Sequence, residues 1–433
     1  MVRSSLARSR RGWTSIAAGS FPPVRAAFVA LLVGLVLHAM AGRLWAQKRP
    51  PDASFWSPIA VTWIQAFEAV PVGPPAFDAT SAYVALSDNR LVAVALRTGA
   101  VTWTLAQALT SPPALSAGTV LVADGSTLLA VDAAAGTIRW TQDLGAPCVL
   151  APRPGVPGIA VLTDKPELLL LRPDDGSVAW RLPLKARART PAEGDAARVY
   201  IGLTDGTILG VDARTGQVAW TRALGSQALC LTLERDRLFI GTSDNLACSL
   251  DTDSGKVRFR WRTGGDVNGA IASDDKRVYL ASMDNSITAL GRGGDMKWQQ
   301  RLPSRPVGGP AVYGNVVMLT SVAADLRIFY ADNGTLGDTV ELPGRPIERP
   351  HVVTLQGVRP PLAVMLTAGG QLFAVSPQAE PPVVPFDPTL GVLPSVDLLD
   401  DVEPPLVPML YPPGRLLPPE TLPVVRVIKS PAA

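Results

Sequence analysis

The chain has 433 residues, 47% hydrophobic and 18% charged, with a formal net charge of +3, two histidines and three cysteines. Arg3, Arg8, Arg10, Arg11, Arg25 and Arg43 fall within residues 1–46, which hold no acid; the rest carries 34 basic against 37 acidic residues, a net of −3. The body therefore lacks the basic footprint of a nucleic-acid binder, and histidine-based zinc or Ser-His-Asp chemistry lacks its parts.

The chain opens with a positive stretch to Arg25, then the apolar run Ala26–Leu37, then small residues at Ala39, Ala41 and Ala46. That run is short of the ~20 residues of a membrane span. A secretory signal peptide with cleavage after Ala41 or Ala46 fits this order better than an uncleaved anchor. No cysteine lies near the cleavage region to carry a lipid. Residues 47–58 read as a linker.

From there a repeat sets the pattern. Glycine returns every 37 to 40 residues, at Gly99, Gly136, Gly176, Gly216, Gly255, Gly294 and Gly334. Four residues beyond six of these glycines stands a large aromatic: Trp103, Trp140, Trp180, Trp220, Phe259 and Trp298. Within a unit, alternating strands flank a first turn at Asp88, Asp124, Asp164, Asp205, Asp244 or Asp284, for which the Asp-Gly and Asp-Asn pairs predict type I′ hairpins. At the second turn, Asp-x-x-Thr-Gly or a close variant predicts a carboxylate bonded to loop amides and a left-handed glycine, as in Asp132–Gly136, Asp212–Gly216 and Asp251–Gly255. Strands with no room for helices, in units of three or four, make an all-β propeller blade.

The last unit runs through Pro361–Leu366 and Gln371–Val375 and stops at Pro377 without its aromatic strand. The missing strand stands at the other end, where Ala60-Val61-Thr62-Trp63 repeats the letters of Ala100–Trp103. An N-terminal strand sealing the last blade leaves no open seam and gives an eight-bladed β-propeller over residues 59–376. Of the final 57 residues, 377–433, fifteen are proline; this composition favours an extended, disordered tail.

These units resemble the PQQ-like, quinoprotein-type propeller repeat, Ala-x-Asp-x-x-Thr-Gly-x-x-x-Trp, best at Asp132–Trp140, Asp212–Trp220 and Asp251–Phe259. The resemblance implies that Trp63 and each later aromatic dock against the neighbouring blade and offer an indole N–H to a backbone carbonyl. One branch of the repeat, the dehydrogenases, holds quinone and calcium over the central channel beside a disulfide between adjacent cysteines. This chain has no adjacent cysteine pair and only short inter-strand segments, so no cofactor is expected. The other branch, BamB-like, is exported and non-catalytic, and it matches in size, repeat and leader.

Cys148, Cys230 and Cys248 read as buried thiols, and His351 as an ordinary residue at the start of a strand. The first-turn aspartates crowd one face as turn formers, a cation or docking surface being the alternative. Lys185, Arg187 and Arg189, and Arg258, Arg260 and Arg262, alternate with small or aromatic residues and form the candidate partner-binding positions. The expectation is a monomeric, periplasmic scaffold with protein partners, no nucleic acid, no metal and no enzyme activity. Membrane contact is expected only through an uncleaved leader, and a quinone-dependent dehydrogenase or carbohydrate-binding propeller is the alternative.

Overall fold

The computed structural model describes residues 56, 58–148, 150–155, 157–355 and 361–378. The leader, most of the linker and nearly all of the proline-rich tail lie outside the described residues. The described residues form eight four-stranded antiparallel sheets arranged as a β-propeller. Blades 1 to 7 span residues 76–106, 114–143, 153–183, 193–223, 228–262, 272–301 and 306–341. Blade 8 combines three strands within residues 351–377 with the N-terminal strand Ile59–Ala66.

In blade 1 the strands Ala76–Phe77, Ser81–Leu86, Arg90–Ala95 and Val101–Ala106 lie side by side in chain order. First strands of successive blades meet around the axis. Last strands alternate between exposed and half-buried residues and form the rim. The middle two strands are buried almost throughout, so blade-to-blade packing uses both faces of each sheet. Inner strands of two or three residues in most blades carry no readable alternation, and the sequence signal therefore shows three strands per unit where the fold has four.

Ile59–Ala66 pairs antiparallel with Gln371–Pro377, setting Trp63 opposite Ala374 and Ile64 opposite Phe373. The pairing carries the last strand through Pro377, opposite Ile59, and the Gln378 amide then donates to the Pro58 carbonyl at 2.8 Å. Pro377 thus ends the strand from inside the sheet, at a terminal position where its missing N–H is tolerated.

The first turns differ from the type I′ expectation. Asn89, Asn245 and Asn285 have positive φ, whereas Asp88, Asp244 and Asp284 do not. The Asn285 amide donates to the Ser282 carbonyl, which makes a three-residue loop whose last member alone is left-handed. At the second turns Asp132 Oδ1 accepts the Ala134 and Ala135 amides, and Asp212 Oδ1 those of Arg214 and Thr215.

One contact links blade to blade. The repeated aromatic of each outer strand that has one lies on the glycine of the next blade: Trp63 on Gly99, Trp103 on Gly136, Trp140 on Gly176, Trp180 on Gly216, Trp220 on Gly255, Phe259 on Gly294 and Trp298 on Gly334. A Cβ on Gly255 would stand 2.5 Å from the Trp220 ring, and φ there is +63°. Each indole N–H reaches a backbone carbonyl beside that glycine, as in Trp103 to Ala133 (3.0 Å), Trp220 to Thr252 (2.9 Å) and Trp298 to Ala331 (2.8 Å). A large aromatic buries roughly 150–250 Å2, so each such contact contributes about 4–6 kcal/mol before the entropy of ordering it.

In blades 1, 4 and 6 a tyrosine joins the tryptophan at the same carbonyl. Tyr83 Oη lies 2.7 Å from Asp78 Oδ2 and 3.2 Å from Ala133 O. Tyr200 and Tyr279 repeat this with Asp195 and Thr252 O, and with Asp274 and Ala331 O. Burial first, and then the carboxylate, pushes these phenols upward, so they remain protonated donors. Blade 5 has Phe239 and Phe259 in these places, their ring centroids 6.4 Å apart. Both polar donors are gone, and the Arg237 guanidinium donates to the Arg292 carbonyl instead.

Blade 7 departs further, with Met318 and Asp338 at the tyrosine and tryptophan positions. Trp56, from the segment before Ile59–Ala66, packs between blades 7 and 8 with Met318, Ile328, Met365 and Phe373. Its ring meets Tyr313 edge-on at 5.9 Å. The N-terminal segment therefore supplies both the missing strand and an aromatic for the one interface whose repeat lacks it.

Beside the axis, Glu348 has a buried Oε1 with no hydrogen-bond partner among the described residues, and burial pushes its carboxyl up to about 8. A carboxyl raised in this way holds its full stabilising effect below the unfolded value near 4.5 and loses it as pH rises towards 8. In urea titrations Glu348→Gln should therefore equal the wild type near pH 4 and exceed it increasingly up to pH 8; equal midpoints at both ends would contradict the assignment. For the ring contact, Gly125→Ala, at φ +57° in open space, should cost about 1–2 kcal/mol, and Gly255→Ala about 1–3 kcal/mol more. Equal urea midpoints for the two would show that the aromatic does not set the cost.

Candidate functional site

Lys185, Arg187 and Arg189 are exposed on the loop that joins blades 3 and 4. Antiparallel pairing puts this loop on the face that carries the first turns, and Arg187 reaches Asp164 at 3.0 Å there. Arg258, Arg260 and Arg262 are exposed along the outer strand Val257–Arg262 of blade 5, alternating with half-buried Phe259 and Trp261. Arg258 is bound to Asp251 and draws that carboxyl down to about 2. The first trio thus stands on an interblade loop and the second on a sheet edge, whose outward N–H and C=O groups have no neighbouring strand among the described residues.

The first-turn aspartates are engaged in their own loops. Asp88 pairs with Arg90, and Asp124 accepts from Gln107. Asp205 accepts the Thr207 amide. Asp244 accepts from Ser226 and Thr242, and Asp284 from the Gly264 amide and Ser286. These bonds tie each hairpin to itself or to the preceding interblade loop, which is the work of a turn former.

Two cavities lie against the axis. One of about 440 Å3 is lined by inner strands of blades 1 to 4, including Phe77, Leu115, Arg153 and Glu193. The other, about 210 Å3, is lined by blades 5 to 8, including Glu234, Tyr313, Arg349 and His351. Arg153 pairs with Glu193 at 2.7 Å. Burial raises the Glu193 carboxyl, while Arg153 and Arg349 act against the rise. His351 stacks on Phe77 with centroids 4.0 Å apart and rings 3° from parallel. Burial, then Arg349, lowers the imidazole to about 4, which leaves it neutral at physiological pH. Arg153 and Glu193 carry no signal in the sequence, because each sits on an inner strand of two residues that shows no period.

The lining does not fit a calcium-bound quinone. Among the described residues no three His, Cys, Asp or Glu side chains converge to hold a metal ion. Cys148, Cys230 and Cys248 are separate, buried and free. Burial pushes the Cys148 thiol up to about 12 and that of Cys248 to about 11, which makes them poor nucleophiles.

A family profile described as outer membrane protein assembly factor BamB matches residues 87–156, 154–233 and 204–389. BamB of Bordetella pertussis is 24% identical over 173 residues, 39% of this chain, and the match spans 43% of that relative's length. The crystal structure of BamB from Moraxella catarrhalis superposes with a TM-score of 0.62 at 16% identity, covering 73% of this chain and 99% of that one. Quinohemoprotein alcohol dehydrogenase from Comamonas testosteroni superposes with a TM-score of 0.60 at 14% identity, covering 75% and 77%. At such identities the likeness to solved structures concerns the fold alone. With eight sheets joined by the repeated aromatic and glycine, and a profile match running from residue 87 to residue 389, the chain belongs to the family of the outer membrane protein assembly factor BamB.

Proposed function

We propose that the chain is an exported, non-catalytic scaffold that holds protein partners together in the cell envelope during outer-membrane protein assembly. The observation that carries this reading is the family match over residues 87–389. The leader, with its positive start, apolar run and small residues before Ala46, supports export to the periplasm. A closed ring whose loops are fixed by internal hydrogen bonds presents a surface at low ordering cost, which suits recognition of partner surfaces and extended strands.

Lys185, Arg187 and Arg189 offer a cationic loop, and Arg258, Arg260 and Arg262 a cationic sheet edge. Both suit an acidic partner, the loop by charge and the edge also by strand addition. Fold likeness to a quinohemoprotein alcohol dehydrogenase supplies the competing reading, against which stands the poor fit of the channel lining to quinone and calcium.

Capture of the tagged chain from envelope fractions, followed by mass spectrometry, should recover barrel-assembly components. Arg187→Glu with Arg260→Glu should deplete them without shifting the melting temperature; an unchanged set of partners would remove these positions from the interface. Quinone with calcium added to the purified protein should alter neither its absorption spectrum nor its melting temperature, and a saturable rise in the latter would favour the dehydrogenase reading.

A further inference from the structure

Blade 2 lacks the tyrosine that fills the space beside the tryptophan in blades 1, 4 and 6. Leu121 pairs with Ala130, which pairs with Trp140, in the register of Tyr83, Ala93 and Trp103. Five residues upstream, where Asp78, Asp195 and Asp274 receive the phenol hydroxyl, stands Ser116. Ring and acceptor are thus replaced together, by smaller groups. Trp140 still donates to the Pro173 carbonyl at 3.0 Å. In the three complete blades the equivalent carbonyl has a second donor, the tyrosine hydroxyl.

Other blades without the tyrosine fill the space from their own chain. Blade 5 has Phe239, and blade 3 sets Leu170 with Ala160 and Trp180 in one apolar cluster. Between blades 2 and 3, Leu121, Ile159 and Trp140 also share an apolar cluster, but beside them lies a cavity of about 240 Å3, bounded by Ser116, Leu121, Arg139, Trp140, Ile159 and Pro173. Exposed Pro173 and Asp174 stand at its mouth. The Arg139 guanidinium is held at the rim by Thr119 (2.7 Å) and Asp132 (2.6 Å). A cavity of roughly 150 Å3 takes a benzene ring, so this one has room for a substituted ring.

We propose that the cavity between blades 2 and 3 binds a phenol ring, which takes the place held in blades 1, 4 and 6 by the chain's own tyrosine. The ring packs between Leu121 and Trp140, and its hydroxyl donates to the Pro173 carbonyl or the Ser116 hydroxyl. Aromatic rings at such spacing attract beyond their buried area, and a carbonyl with two lone pairs accepts the second donor without losing the first. The same chemistry comes from a free phenol or from a tyrosine side chain of another polypeptide.

The test titrates p-cresol, the tyrosine side chain itself, into the full-length protein and follows tryptophan fluorescence, with a crystal soak to locate the ring. Saturable binding at millimolar concentration with density against Trp140 is expected. The double substitution Leu121→Tyr with Ser116→Asp should rebuild the clasp, raise the melting temperature and abolish p-cresol binding. Should that variant not fold, Leu121→Phe fills the same space and should block binding alone. No saturation by p-cresol, a ring seated elsewhere, or equal binding by the filled variant would overturn the proposal. Tighter binding of a tyrosine-centred pentapeptide than of p-cresol would identify a polypeptide as the source, and equal binding a free phenol.

Discussion

The structure depends on a large planar ring lying flat on a residue with no side chain. Trp220 approaches Gly255 so closely that a single methyl group would collide with it, and the left-handed backbone of that glycine turns the loop around the ring. The same residue thus meets two separate demands, one on backbone dihedral and one on space. Repeated around the axis, the contact fixes the angle and spacing between sheets. With three free thiols the described chain has no covalent staple, and van der Waals packing with one hydrogen bond per indole carries the interblade load.

Because the contact is local in sequence and strict in geometry, most of the architecture was legible before any coordinate. The glycine period counted the blades, and the letters around Trp63 located the closing strand. What remained hidden lacked periodicity or lay outside the unit. The inner strand Ala76–Phe77 has two residues and no alternation. Trp56 precedes the first repeat and fills a gap that Asp338, standing where the aromatic belongs, could have announced. The Asp284-Asn285 pair marks the turn in the sequence, but the turn's type depends on a three-residue count that the pair does not reveal.

The candidate site was less legible for a related reason. Alternating arginines mark an exposed strand face whether or not anything docks there, and the sequence places the two basic trios about 70 residues apart without indicating their relation. In the fold one trio belongs to an interblade loop and the other to a sheet edge, so they offer two different modes of contact. Departures from the repeat proved more informative than the repeat itself. Phe259 is answered by Arg237, the missing aromatic of blade 7 by Trp56, and the change at Leu121 leaves space behind.

Closure by the N-terminal strand has a kinetic side. Thr62 and Ser376, joined at 2.9 Å across the seam, are 314 residues apart, and a flexible loop of that length costs roughly 5 kcal/mol of chain entropy plus a constant. A seven-pair ladder, Trp56 and Trp63 offset this loss only after the last hairpin exists. Intervening sheets are free to condense from neighbours in sequence, whereas the earliest strand must wait, edge exposed, for the latest one. Time spent in that open arc, more than the final strength of any blade, governs how long the emerging chain needs shelter from aggregation.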